Sequence, residues 1–131
     1  MGQNHAEIVR VFTRQHGGKN SDTTISPKQD IEIIVESECG SALSGAQCEL
    51  GVTVIDDSGC NVVTTLAPVA FAAVNDRRVD TFMVPRAMLA GREKHVCHAV
   101  AYLLVGTSAG RQHQEADAAF RNSPNFLLLN R

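Results

Sequence analysis

Side chains that could do chemistry are concentrated in a few short segments of this 131-residue chain. The densest segment carries His95, Cys97 and His98, which are residue types that bind Zn²⁺ or act as nucleophile and base. Successive side chains of a strand point to opposite faces, so His95 and Cys97 would share one face and His98 the other. Three ligands converge poorly from such a segment, and we therefore expect no metal ion and no catalytic cysteine here.

A second polar segment has His113, Glu115 and Asp117 at alternate positions. On a strand these side chains would line one face, either as a patch that contacts a ligand or as a solvated edge. We take His113 and Glu115 as candidate ligand-binding residues.

Arg77, Asp56 and Asp57 could each contact a ligand, but each also has a simpler structural explanation. Arg77 stands at the start of a predicted strand, and its planar set of donors suits pairs of hydroxyl groups or a phosphate. Ordinary surface charge is the alternative, and Arg77 is retained as a candidate. Asp56 and Asp57 lie in a predicted turn, where aspartate bonds to nearby backbone N–H groups. No acidic pair is placed to flank a glycosidic bond, and we expect a protein that is not an enzyme.

The only tyrosine, Tyr102, shares one face of a predicted long strand with His98. The opposite face has small residues such as Cys97 and Ala99, which suit close packing of sheets. If the Tyr102 face belongs to the core, Tyr102 is a packing residue, and this interpretation is slightly favoured. If that face is open, both Tyr102 and His98 could contact a ligand, so both are candidates.

Composition excludes several classes of function. The chain is 44% hydrophobic and 20% charged, with a net charge of −2, so it has the make-up of a soluble protein and no basic field for nucleic acid. Its longest apolar run, residues 99–105, is far shorter than the ~20 residues of a membrane span. The first ten residues resemble no signal peptide, so a cytoplasmic location is expected. Four cysteines without CxxC spacing are expected to be buried thiols.

Alternation of apolar and polar residues, broken by turn residues, predicts the elements that position these side chains. The pattern indicates an all-β sandwich or barrel that forms one domain over residues 1–131. Residues 67–75 fit either an irregular crossing or a short helix, and residues 114–120 favour a short helix by propensity. Strands are predicted at residues 7–13, 30–37, 48–55, 60–66, 79–84, 94–105 and 126–129.

Several of these stretches resemble one known family. Three parts of the chain follow the same order as in that family. They are the opening strand with its glycine turn and second strand, the hairpin around 57–59, and the strand, proline corner and long strand from 81 to 105. The family is the C-terminal domain of Wzt-type ATPases, the nucleotide-binding subunits of O-antigen ABC exporters. Residues 117–120 are similar to its closing strand, against the propensity for helix. The matching stretches are residues 6–11, 17–19, 25–27, 30–33, 50–54, 57–59, 81–85, 89–91 and 117–120.

The resemblance implies an immunoglobulin-like antiparallel β-sandwich, with a jelly-roll-like arrangement as the variant. Such a domain would dimerise by exchanging its terminal strand and recognise the end of a finished polysaccharide on one sheet. The implied partners are the transporter ATPase domain and permease, at the cytoplasmic side of the inner membrane. The chain has no G-x-x-x-x-G-K-[ST] loop, so it would be the recognition domain rather than the ATPase, with no cofactor. A structural module that pairs through a sheet edge is the alternative function.

Overall fold

A computed structural model describes residues 6–106 and 117–130, and this part of the chain is built almost entirely of strands. Two short 3-10 turns, Ser41–Leu43 and Arg86–Leu89, interrupt the strands. The predicted all-β class is confirmed. The strands are β1 (Ala6–Gln15), β2 (Thr24–Ile25), β3 (Ile31–Cys39), β4 (Gln47–Asp56), β5 (Asn61–Thr65), β6 (Val69–Ala72), β7 (Arg77–Val84), β8 (Val96–Val105), β9 (Asp117–Asn122) and β10 (Phe126–Leu128).

The strands form two sheets that face each other. Sheet A has the order β1-β3-β7 and is antiparallel throughout. Sheet B has the order β2-β10-β8-β4-β5, with β6 following β5 along the edge of β4 and β9 following β10 along the edge of β8. One pair, β2 with β10, is parallel, so the sandwich is not purely antiparallel. Strand β1 of sheet A runs beside β9 of sheet B.

The core lies between the sheets, because alternate side chains of each central strand point inward and are apolar with few exceptions. In β3, the side chains of Ile31, Ile33 and Val35 are buried against sheet B, while its glutamates point outward. In β4 and β8 the buried positions are the even and odd residues respectively, and every one of them is at most 5% exposed. These inward residues of sheet B are Cys48, Leu50, Val52, Val54, Asp56, Cys97, Ala99, Ala101, Leu103 and Val105.

Turn chemistry places the long strand β8. Leu89 is buried just before Gly91, whose φ of +79° is readily adopted by glycine, as the predicted tight turn requires. Lys94 also has a positive φ, of 68°, and therefore lies in the turn rather than in the strand. The strand begins at Val96, two residues later than the sequence pattern predicted. This register puts Tyr102 on the outer face of sheet B, so the interpretation of Tyr102 as a core residue was wrong.

Two further predictions are decided by strand pairing. The undecided segment 67–75 contains β6, which pairs with the first half of β4. The helix predicted for residues 114–120 was wrong at 117–120, which belong to β9 and pair with β8. Pairing with the edge of β8 is favoured over the helix that the alanines prefer, because a strand there hydrogen-bonds backbone N–H and C=O groups of both segments.

All four cysteines are thiols in the described part of the chain, as expected. Three are buried, as predicted, but Cys60 is exposed in the turn that precedes β5, so the prediction of a buried thiol was wrong for this residue. Among the described residues, no helix has the length and apolar character needed to cross a membrane.

Candidate functional site

A glycine in the middle of sheet B determines how Tyr102 is held. Gly51 of β4 lies directly opposite Tyr102 of β8, and a Cβ at Gly51 would collide with the tyrosine ring and hydroxyl. The ring therefore covers the bare backbone of the neighbouring strand instead of projecting away from the sheet. Glycine inside a strand commonly marks such a close approach.

The hydroxyl of Tyr102 completes this arrangement. It donates a hydrogen bond of 2.9 Å to the carboxylate of Glu49, which precedes Gly51 by two residues on the same face. Partial burial, together with this hydrogen bond and the negative charge of Glu49, raises the pKa of Tyr102. The ring is thus fixed at two points, by contact with β4 and by the carboxylate.

An exposed phenylalanine continues this surface. Phe120 of β9 pairs directly with Tyr102, so the two side chains are neighbours on the outer face, and Phe120 is 69% exposed. Leu104 on β8 is also exposed at 37%, and Val100 is half-buried. We call this surface the aromatic face; its residues are Glu49, Gly51, Val100, Tyr102, Leu104 and Phe120.

A histidine–aspartate pair lies at the far end of the same outer face. Nδ1 of His98 is 2.8 Å from Oδ2 of Asp57, and the histidine side chain is 17% exposed. His98 precedes Tyr102 by four strand positions, which corresponds to about 13 Å along β8. The structure therefore brings the two predicted residues His98 and Tyr102 to one face, at opposite ends of a row that includes Val100.

The structure places Arg77 elsewhere. It begins β7 in sheet A, and its guanidinium lies 2.7 Å from the carboxylate of Glu38 and 3.5 Å from that of Glu36. The hydrogen bond with Glu38 and its negative charge raise the pKa of Arg77. Arg77 thus belongs to the outer face of sheet A and does not join His98 and Tyr102. His113 and Glu115, the remaining candidates, lie outside the described residues.

The outer face of sheet A is largely neutralised by its own ion pairs. Glu32 accepts a 2.6 Å hydrogen bond from Arg14 and lies 2.8 Å from His16. These two partners lower the pKa of Glu32. Arg10 pairs with Glu36 at 3.8 Å, and its guanidinium stacks over the ring of Phe12. Such a surface is typical of a solvated face.

The burial of Asp56 was missed by sequence reasoning, which placed this residue only in a turn. Asp56 is 0% exposed, and its carboxylate accepts hydrogen bonds from Arg92 at 2.6 Å and from the backbone N–H of Gly59 at 2.8 Å. Nδ1 of His95 is 2.7 Å from the same carboxylate. Burial alone would raise the pKa of Asp56, but the hydrogen bonds of His95, Gly59 and Arg92 outweigh it and lower that pKa to about 2. This cluster ties the β4–β5 turn to the segment before β8.

Within residues 6–106 and 117–130, no group of three or more His, Cys, Asp or Glu residues could hold a metal ion. The thiol of Cys97 is buried beside Asp56, and burial first and then the aspartate charge raise its pKa to about 12, which disfavours the nucleophilic thiolate.

Neither a scan against protein-family models nor a search of curated proteins finds a match to this chain.

Proposed function

We propose that this protein is a non-catalytic binding domain whose aromatic face recognises a saccharide. The observation that supports this proposal most strongly is the Tyr102 ring held over Gly51 with the exposed Phe120 beside it. An exposed phenylalanine ring beside a half-buried tyrosine ring offers apolar area at little cost in conformational entropy. The apolar C–H face of a sugar ring matches such a surface.

Polar groups around the rings suit the hydroxyl groups of a sugar. The carboxylate of Glu49 already accepts one hydrogen bond from Tyr102 and has lone pairs for others. Asp57 and His98 offer a second polar position about 13 Å away along the strand. Each sugar hydroxyl exchanges a bond to water for a bond to the protein, so individual affinities are expected to be weak.

A finer proposal concerns the ligand and its setting. The resemblance of the sequence to Wzt-type domains supports the end of an O-antigen-type polysaccharide as the ligand, bound in the cytoplasm before ABC-transporter export. The ATPase domain and permease would then be partners, and exchange of the terminal strand would form a homodimer. This finer proposal rests on the sequence resemblance, whereas the saccharide face rests on the geometry of sheet B.

A sheet edge that pairs with another subunit is the alternative function. Several described strands pair on one side only, and among them β7, which pairs with β3 alone, is one of the longest. Its other edge is therefore one candidate. However, Arg78 and Asp80 of β7 occupy inward-pointing positions and form a bidentate pair at 2.9 and 3.1 Å. Inward-pointing charges on an edge strand are a common protection against edge-to-edge pairing. The geometry therefore favours the aromatic face over this edge.

Titration of the isotope-labelled protein with defined glycans, followed by NMR, tests the proposal. The probes are neutral, acidic and phosphate-capped oligosaccharides of known end group. We expect chemical-shift changes confined to residues 49–55, 98–104 and 118–122. We expect Phe120→Ala to weaken binding about tenfold, since an aromatic contact contributes about 1.4 kcal/mol. Arg77→Ala is the matched control and should bind as the wild type does. Changes on sheet A, or none with any probe, would overturn the proposal.

A further inference from the structure

A cavity of about 420 Å³ lies on the side of the sandwich where β1 of sheet A runs beside β9 of sheet B. Both strands line it, together with the loop that leads into β2 and the two residues that follow β9. The lining residues are 10–13, 21–23 and 121–124, and the residues that define the aromatic face are not among them. The cavity is therefore a second concave surface, separate from the candidate saccharide face.

Hydrogen bonds within the protein fix the walls of this cavity. Thr13 is 3% exposed, and its backbone oxygen accepts a hydrogen bond of 2.7 Å from the N–H of Asp22. The hydroxyl of Thr13 donates in return to the backbone oxygen of Asp22 at 2.8 Å. On the other wall, the hydroxyl of Ser123 accepts a hydrogen bond of 2.9 Å from the backbone N–H of Ala99. A site held in this way is formed before its ligand arrives, which lowers the entropic cost of binding.

The charges of the lining favour an anion. Among the described residues, the charged side chains that line the cavity are two arginines, Arg10 and Arg121, and one aspartate, Asp22. The carboxylate of Asp22 accepts a hydrogen bond of 3.1 Å from the backbone N–H of Thr24, so it also serves its own loop. Positive charge exceeds negative charge in this lining, and a concave surface with an excess of one sign attracts ligands of the other.

The guanidinium of Arg10 is positioned in advance. It stacks over the ring of Phe12, 4.1 Å from the ring centroid, and lies 3.8 Å from the carboxylate of Glu36. A separation of 3.8 Å is longer than a hydrogen bond, so this ion pair leaves the N–H donors of Arg10 for another acceptor. Arginine presents these donors in a planar fork that matches the oxygens of a phosphate or a carboxylate. Arg121, exposed at the end of β9, brings a second fork to the same cavity.

The rest of the lining suits the carbon skeleton of a small hydroxylated molecule. Ser21, Thr23 and Asn122 contribute hydroxyl and amide groups, which both donate and accept hydrogen bonds. Val11 and Pro124 contribute apolar surface for C–H groups. The volume lies within the range of pockets that hold small organic ligands.

We propose that this cavity is a second binding site, for a small hydroxylated organic anion whose phosphate or carboxylate group is bound by Arg10 and Arg121. Phosphate and carboxylate share the chemistry that these residues recognise, because both offer negatively charged oxygens that accept hydrogen bonds in pairs. The site does not depend on the proposed saccharide face, and either proposal can fail without the other.

NMR titration of the isotope-labelled protein in a phosphate-free buffer of low salt tests the proposal. Glucose 6-phosphate and glucuronate carry the two kinds of anionic group on similar hydroxylated rings, and glucose is the uncharged control. We expect at least one of the two anions to shift the backbone signals of residues 10–13 and 21–23 in a saturable way, and glucose to leave them unchanged. Added sodium chloride should weaken the binding, since it screens the charges of the arginines.

Variants of the two arginines make the result specific. Arg10→Gln and Arg121→Gln should each weaken binding of the anion about tenfold, because each removes hydrogen bonds to a charged group. Arg10→Lys keeps the charge but loses the planar fork, so it should weaken binding several-fold. Arg77→Gln is the matched control: this arginine also pairs with glutamates on sheet A but lies outside the cavity, and the variant should bind as the wild type does.

Folding of the variants is checked by urea unfolding, which should change little because Arg10 and Arg121 are both exposed. Three results would overturn the proposal. In the first, neither anion shifts the signals of residues 10–13 and 21–23. In the second, shifts are confined to residues 49–55 and 98–104, which assigns the anion to the aromatic face. In the third, both glutamine variants bind the anion as tightly as the wild type does.

Discussion

Asp56 shows how one side chain can have both a local and a long-range role. Its bond to the backbone N–H of Gly59 is the turn contact that the sequence indicates. The same carboxylate also holds Arg92 and His95, which arrive from more than thirty residues away in the chain. A buried carboxylate is tolerated because these donors replace the water it has lost.

This arrangement predicts a loss of stability in acid. The pKa of Asp56 in the folded protein, about 2, is lower than its ordinary value of 3.8. The ionised form is therefore favoured by folding, so its contribution to stability is complete above about pH 4 and disappears as the pH falls toward 2. Urea unfolding at pH 6 and at several values between 4 and 2 should show the free energy of unfolding falling across this interval.

Substitution of the aspartate separates this effect from the other carboxylates. Asp56→Asn should lower the free energy of unfolding at pH 6 by about 3 kcal/mol, because Arg92 and His95 lose the buried charge between them. It should also flatten the acid dependence. Asp57→Asn, at an exposed neighbour, should keep the dependence. An Asp56→Asn protein with the same acid profile as the wild type would contradict the assignment.

At the level of elements, β4 and β8 together create the aromatic face. Neither strand does so alone: β4 contributes the gap at Gly51 and the carboxylate of Glu49, while β8 contributes the ring of Tyr102. The register between them aligns glycine with tyrosine, and a slip of one residue would send Tyr102 into the core.

Because Tyr102 is the only tyrosine, absorbance titration of the phenol reports this register directly. In the wild-type protein the pKa of Tyr102 should be above the ordinary value for tyrosine, because burial and Glu49 raise it. Gly51→Ala should displace the ring, bring the pKa of Tyr102 back toward its ordinary value, and weaken any saccharide binding about tenfold. Glu49→Gln is the comparison variant: it should also lower the pKa of Tyr102, because it removes the charge of Glu49, but it causes no collision with the ring. An unchanged titration in Gly51→Ala would show that the ring does not depend on the glycine.

The same pair of strands shows what the sequence could and could not predict. Period-two alternation correctly predicted β3 and β4, because burial on one face imposes that pattern directly. The long apolar run of β8 also predicted a strand correctly. Tyr102 was misplaced, since both faces of β8 carry apolar residues and only the pairing with β4 decides which is inward. Gly51 was the available signal, as a glycine inside a strand indicates a close approach. Phe120 was hidden by alanine-rich neighbours that favour helix.

For the molecule as a whole, the short final strand completes sheet B. Strand β10 bridges β8 and β2, and Phe126 and Leu128 are 1% and 0% exposed. Backbone bonds from Lys94 to Leu128 and from Leu129 to Ile25 hold it on both sides. The exchange of this strand between two copies stays a prediction. If it holds a dimer together, a chain shortened to residues 1–123 should have a lower mass by light scattering, and an unchanged mass would contradict the exchange.

Replacement by alanine should change the free energy of unfolding by very different amounts at Phe120 and Phe126, which are six residues apart. Phe126→Ala is expected to cost about 3–5 kcal/mol in the free energy of unfolding, because it leaves a cavity in the core. Phe120→Ala should change stability by less than about 0.5 kcal/mol, since the side chain is mostly exposed. Urea unfolding of both variants measures the difference. A large loss in Phe120→Ala would mean that this residue supports the fold rather than a ligand.

The contrast between the two outer faces has a practical consequence. The outer face of sheet A pairs glutamates with arginines and also exposes Val79 and Met83, while the outer face of sheet B presents Tyr102, Leu104 and Phe120. Because Phe120 is the most exposed of these apolar side chains, we expect the outer face of sheet B to adsorb preferentially to an apolar surface, such as a plastic well or the air–water interface of a cryo-EM grid. Immobilisation for sensor work should therefore use a tether introduced at Val79, which is 59% exposed on the charged side, so that the rings point into the flowing sample.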